Sequence, residues 1–164
     1  MLNKGITCIY LNSIDKIEKF GEYKINSLVI NKIQKEQKQF ISKENIKKIK
    51  IQLYFLRKKY GWKYEILNYI ENGYCYLHSN LPKQIKRKII EFIDIGYIRL
   101  LFVSPIILNG ISLPIDNMVI DSHKINNKNM IKQDFNNLIA RCGRTSKLNA
   151  FNIGFVFVKS ENEK

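Results

Sequence analysis

YCYLHSNLPKQIKRKIIEFIDIGYIRLLFVS, Tyr74 to Ser104, contains a complete strand, helix and strand in thirty-one letters. YCYLHS is short, aromatic and apolar, the composition of a strand. LPKQIKRKIIEFIDIG then changes to helical spacing, with Pro82 in the first turn and Gly96 as a C-terminal stop. IRLLFVS, Ile98 to Ser104, is a continuous apolar run of the kind buried on both faces of a parallel sheet. Two strands joined by a crossover helix are the repeating unit of an α/β fold, and the rest of the chain is read outward from this one.

Upstream, ITCIYLN (Ile6 to Asn12) is a β-branched strand, followed at once by SIDKIEKFG, where Ser13 can cap a helix ending by Gly21. From Lys24 to Asn72 the pattern is helical: two or three helices, with Ser42 as a cap and Gly73 as a stop. Downstream come PIILNGISLP as a turn-rich connection, NMVID as a strand and HKINNKNM as a polar loop. A short helix around DFNNLIAR and the strand FNIGFVFVK follow. The expected architecture is a mostly parallel sheet covered by helices on both faces, carrying a helical insert at about 24–72. Ligand-bearing loops are expected after Asn12, His78, Ser104 and Asp121, at the carboxyl ends of the strands.

The 164 residues suit one domain, and 45% hydrophobic with 26% charged residues is a globular balance, not a disordered or collagenous one. The net charge of +14 favours polyanionic partners, nucleic acid first; a lysine-, isoleucine- and asparagine-rich composition of the kind an AT-rich genome produces accounts for it equally well. Three widely spaced cysteines without a CxxC pair, and two histidines, indicate neither a disulfide framework nor a zinc site, and a reducing cytoplasm fits. The N-terminal residues lack a signal-peptide core, and no apolar run is long enough to cross a bilayer.

Three segments carry candidate chemistry. Phe102 to Pro114 places a hydroxyl, Ser104, at the end of a buried strand and Gly110 six residues later; such a loop offers donors to a phosphate, and it is also what a plain strand-to-helix turn looks like. In NLIARCGRTSK, Arg141 and Arg144 fall one helical turn apart if the helix continues, and arginine is scarce in a chain that overwhelmingly uses lysine. Forked guanidiniums bind phosphate oxygens as lysine cannot, although a solvated turn or a pair of salt bridges uses arginine too. His78 at a strand end suits an activator or ligand role, or local packing. The lysine-rich helices between Lys32 and Lys63 interleave Tyr54, Tyr60, Trp62 and Tyr64, which either stack on bases or pack.

Taken in order, these segments resemble the C-terminal RecA-like domain of superfamily-two helicases of the DEAD/DEAH-box kind, particularly their Ski-like and defence-associated branches. ITCIYLNS resembles the strand followed by Asn/Cys-Ser that opens that domain. YLHSNLPKQIKRKIIEFIDIGYIRLLFVSPIILNGISLP resembles its HHSGLP to GVNLP stretch, and DFNNLIARCGRTSK its Q..GRAGR motif. The resemblance implies a single second motor domain over 1–164, with ATP and Mg²⁺ held mainly by an N-terminal phosphate-loop domain absent from this sequence. It implies arginine fingers at Arg141 and Arg144 and nucleotide contacts from Asn109, Gly110, Ser112 and Asn137. Ser13, His78 and Ser104 would lie near a DNA or RNA backbone. Ala140 stands for the motif's first glycine, Asn137 for its glutamine, Ser112 for its ribose-contacting Asp or Asn, and Ser104 for its threonine.

The implied function is ATP-dependent helicase or translocase activity in the cytoplasm, without membrane attachment and without ATP hydrolysis by this polypeptide alone. The alternatives are a non-catalytic nucleic-acid-binding module and a truncated remnant. The guanidinium pair is expected on the carboxyl-end rim of the sheet.

Overall fold

The computed structural model describes residues 6–17, 27–104, 113–125, 128–143 and 154–159. Among them are the strands β1 (Ile6–Tyr10), β2 (Tyr74–Leu77), β3 (Leu100–Val103), β4 (Ile115–Ile120) and, after the short β5 (Lys124–Ile125) and β6 (Lys128–Asn129), β7 (Phe155–Val158). Five of them form one sheet in the order β2-β3-β1-β4-β7, with every neighbouring pair parallel. Between β1 and β2 lie α1 (Ser27–Phe40), α2 (Lys43–Tyr60) and α3 (Ile66–Glu71), the expected helical insert. α4 (Lys83–Asp94) joins β2 to β3, and α5 (Lys132–Ile139) lies between β4 and β7. The expected α/β sheet with helices on both faces is the fold observed.

Side-chain alternation along the strands builds two cores. Cys8, Tyr10, Cys75, Leu77, Leu101, Val103, Met118 and Ile120 face one side, where α2 contributes Ile49, Leu53 and Leu56, α4 contributes Ile85, Ile89 and Phe92, and α5 contributes Leu138. Ile9, Tyr74, Tyr76, Leu100 and Phe102 face the other side, against Ile17 and the α1 residues Ile30 and Ile33. This division follows from chirality. The β2-to-β3 and β4-to-β7 connections step in the same direction across the sheet, and α4 and α5 share a face. The β1-to-β2 connection steps the opposite way and opens on the opposite face, as crossovers of one hand require.

Local signals act where the sequence places them. The Ser42 hydroxyl accepts from the Asn45 N–H at 3.2 Å and caps α2. Pro82 immediately precedes α4, and Gly96 stops it with φ of 75°. HKINNKNM, expected as a loop, instead contains a two-residue antiparallel ladder between β5 (Lys124–Ile125) and β6 (Lys128–Asn129). No helix among the described residues is long and apolar enough to cross a membrane.

Candidate nucleic-acid interface

Parallel register brings the strand ends into line. Leu77 pairs with Val103, Val103 with Tyr10, Tyr10 with Ile120, and Ile120 with Val158. One residue further on, His78, Ser104, Leu11, Asp121 and Lys159 form the carboxyl-end rim. The ladder continues into this row through Leu11 N–H to Val103 O at 2.9 Å, Asp121 N–H to Tyr10 O at 3.3 Å and Lys159 N–H to Ile120 O at 3.0 Å. Ser13, His78 and Ser104, far apart in sequence, are thus gathered along one edge.

The rim is polar yet largely buried. His78, Ser104 and Asn12 are 3%, 2% and 4% exposed. The His78 ring stacks on Tyr76 with centroids 5.3 Å apart, and its Nδ1 accepts from the Asn80 N–H at 3.2 Å. A neutral imidazole so held carries its proton on Nε2, which makes that nitrogen a donor. Ser13 is half-buried, and its hydroxyl accepts from the Lys16 N–H at 3.4 Å at the start of the helical turn 14–17. Asn12, which sequence reasoning passed over in favour of its neighbour, is the deeper of the two. Its Oδ1 is buried and has no hydrogen-bond partner among the described residues. Position directly after a buried strand was the available signal.

Further along, the Ser122 hydroxyl accepts from Lys124 N–H at 3.3 Å, and Asp121 is neutralised by Lys159 at 3.1 Å. His123 stacks on Phe135, with centroids 6.0 Å apart, and its Nε2 lies 3.3 Å from Lys159 O. Hydroxyl, amide and imidazole groups whose nearby carboxylate is already paired suit contacts with a phosphodiester backbone.

Arg141 lies elsewhere. α5 ends at Ile139, Cys142 forms an isolated parallel bridge with Ile115, and the Gly143 N–H donates to Ile115 O at 2.8 Å. Gly143 takes φ of 74°, which a helix cannot accommodate, so the helix does not run on through it. Ile115 is the first residue of β4, so the Arg141 backbone stands at the amino end of the sheet. Six strand steps of about 3.3 Å put it roughly 20 Å from the rim. For Arg141 the expectation of a guanidinium on the carboxyl-end rim is therefore corrected: a parallel crossover must carry the chain back to the opposite edge before the next strand begins. Arg141 is half-buried, with Nε out of contact with solvent.

Asn137 is exposed on α5, one turn before Arg141. Asn109, Gly110, Ser112 and Arg144 lie outside the described residues. Asn137 and Arg141 do not make a nucleotide site on their own, and no group of three His, Cys, Asp or Glu side chains among the described residues is placed to hold Mg²⁺.

The cysteines are not candidates for nucleophilic chemistry. Burial raises the Cys8 and Cys75 thiols far above their ordinary pKa. Cys142 is raised by burial and then by Asp116, while its Sγ donates to Asp116 O at 3.0 Å.

No family model and no curated protein matches this chain.

Proposed function

We propose that this chain is the second motor domain of a superfamily-two helicase or translocase, binding a nucleic-acid backbone along the carboxyl-end rim and hydrolysing ATP only with a phosphate-loop domain. The observation that carries this reading is the assembly of Ser13, His78 and Ser104, the three residues the resemblance assigns to nucleic acid, on one polar edge of a parallel sheet. A net charge of +14 supports it through counterion release. The position of Arg141 shapes the proposal: its backbone stands at the amino edge of the sheet, so on this reading one phosphate does not touch both Arg141 and the rim residues.

The test has two parts. Binding of a labelled single strand should weaken steeply with salt and weaken further in Ser13→Glu and Ser79→Glu, which add charge to half-buried and exposed rim positions. Unchanged affinity in both variants rejects the rim. Mixing the chain with a phosphate-loop domain of the same class should produce ATP hydrolysis stimulated by nucleic acid and abolished by Arg144→Ala. Stimulated hydrolysis that survives Arg144→Ala rejects the finger role, and no hydrolysis with a competent partner rejects the motor reading.

The alternative, a binding module without motor activity, is favoured by the separation of the two edges. It predicts the first result without the second.

A further inference from the structure

The aromatic side chains of the insert divide into two sets. Tyr60 stacks on Tyr64, with centroids 5.7 Å apart, and both pack against the core. Tyr54, Phe55 and Trp62 stay outside at 45%, 62% and 61% exposure, yet they cluster: Tyr54 meets Phe55 and Trp62 edge-on, each at 5.8 Å. Three adjacent aromatic rings left in water are not explained by folding, because α2 already buries Ile49, Leu53 and Leu56 on its other side.

The same exposed side of α2 is cationic. Positions 43, 47, 50, 54 and 58 recur every three or four residues and therefore line one helix face. Four are lysines and the other is Tyr54. Lys43, Lys47 and Lys50 are exposed and form no ion pair among the described residues, and Lys58 Nζ lies 5.4 Å over the Tyr54 ring. Lys48, off this line, is the one that Glu44 neutralises, at 2.6 Å. A purely apolar patch fits a protein partner, and a purely basic face fits any polyanion. Exposed ring faces beside unpaired cations fit an anion that also carries flat, unpaired bases.

α2 also leads to the rim. Lys59 Nζ and Tyr60 OH both donate to Gln84 Oε1, at 2.6 and 3.1 Å, in the first turn of α4. That turn follows the carboxyl end of β2. The N-terminal half of α2, through Asn45, Ile49 and Gln52, instead lines a cleft with Glu91, Phe92 and Ile95 at the far end of α4. The two helices are thus antiparallel, and the Trp62 end of α2 lies beside the strand ends that carry His78.

We infer that the exposed face of α2, with Tyr54, Phe55 and Trp62 at its rim end and Lys43, Lys47 and Lys50 behind them, is a binding platform for single-stranded nucleic acid. Bases stack on the rings while the lysines follow the phosphates. The platform is a site separate from the rim, and either can fail alone.

Trp62 is the chain's one tryptophan, so its fluorescence reports the platform directly. Titration with oligo(dT) should quench it, and salt should reverse the quenching. Lys47→Gln with Lys50→Gln should reduce the slope of log affinity against log salt by about 1.4, at roughly 0.7 per lysine. Trp62→Ala should weaken binding of a labelled strand by roughly 5- to 150-fold, with Trp62→Phe restoring most of it. Unquenched Trp62 in a saturated complex overturns the inference. So does polyglutamate competing as well as oligo(dT) at equal charge, which would make this a face for acidic proteins. If Ser79→Glu weakens binding while Trp62 is silent, the rim stands and the platform falls; full quenching with unaffected rim variants means the reverse.

Discussion

Replacing Gly73 with alanine tests how the insert is locked to the sheet. Gly73 joins α3 to β2 with φ of 80°, a conformation that costs an L-residue about 1–2 kcal/mol. Its carbonyl accepts the Arg99 N–H at 2.8 Å, so the backbone is not free to relax. A Cβ added there meets Gln37 Nε2 and, at 2.5 Å, Ile33 Cγ2 on α1. Gln37 is 6% exposed, and its Nε2 donates to Tyr97 O at 2.7 Å. Displacing that amide leaves a buried polar pair unsatisfied, a loss of about 1–3 kcal/mol. The expected total is about 4 kcal/mol, or roughly 8–16 °C in melting temperature for a chain of this size. Gly61→Ala is the control, since Gly61 has φ of 98° with nothing within 4 Å of its added Cβ, and it should show backbone strain alone. The smaller entropy of the unfolded alanine chain affects both variants equally and cancels in their difference. Chemical denaturation decides the matter: a Gly73→Ala loss no larger than the roughly 1–2 kcal/mol of backbone strain would refute the packing argument, given the penalty expected for crowding a filled site.

Ser42→Ala should cost about 1 kcal/mol in thermal unfolding, because the hydroxyl that caps α2 is lost without a substitute. Tyr10 and Tyr97 are held neutral up to about 12, by burial first and then by Asp134 and Glu71 respectively. Unfolded tyrosine ionises near 10, so stability should be intact below that pH and erode from about 10 to 12, with these two phenols titrating last by phenolate absorbance. With a thiol reagent at mildly alkaline pH, half-buried Cys142 should react first and slowly, whereas Cys8 and Cys75 should react only on unfolding; early labelling of Cys8 would contradict its burial.

The sequence revealed the strand-helix-strand unit at the centre of the sheet because Pro82 and Gly96 mark where the crossover helix begins and ends. It also contained the sorting of the insert's aromatics: Tyr60 continues the buried line of Ile49, Leu53 and Leu56, whereas Tyr54 falls beside it. The ladder between β5 and β6 was not legible, because two-residue strands are too short to show alternation. The end of α5 was not legible either. Nothing in NLIARCGRTSK forbids a helix before Gly143, and what stops it is the pairing of Cys142 with Ile115, twenty-seven positions away in the chain. Asn12 was overlooked because hydroxyls attract attention at strand ends and buried amides do not.

Topology also constrains how such a domain can work. In a parallel sheet, motifs at strand ends and motifs at the ends of crossover helices fall on opposite edges, so a motor built on this order of strands must pass its signal across the sheet. The covalent route here is short. Ser104 leaves the rim at the end of β3, and after residues 105–112 the chain re-enters at Leu113 and Pro114. Pro114 O accepts from Ile6 N–H at 3.4 Å, and the next residue, Ile115, pairs with Cys142. Under the proposed function, a displacement of Ser104 would act on a connection whose far end, Ile115, is bridged to Cys142. If the proposed motor couples its two ligands this way, lengthening that connection by inserted glycines should preserve strand binding by the chain and reduce the stimulation of ATP hydrolysis in the two-domain mixture. Equal stimulation at every insert length would show that coupling takes another path.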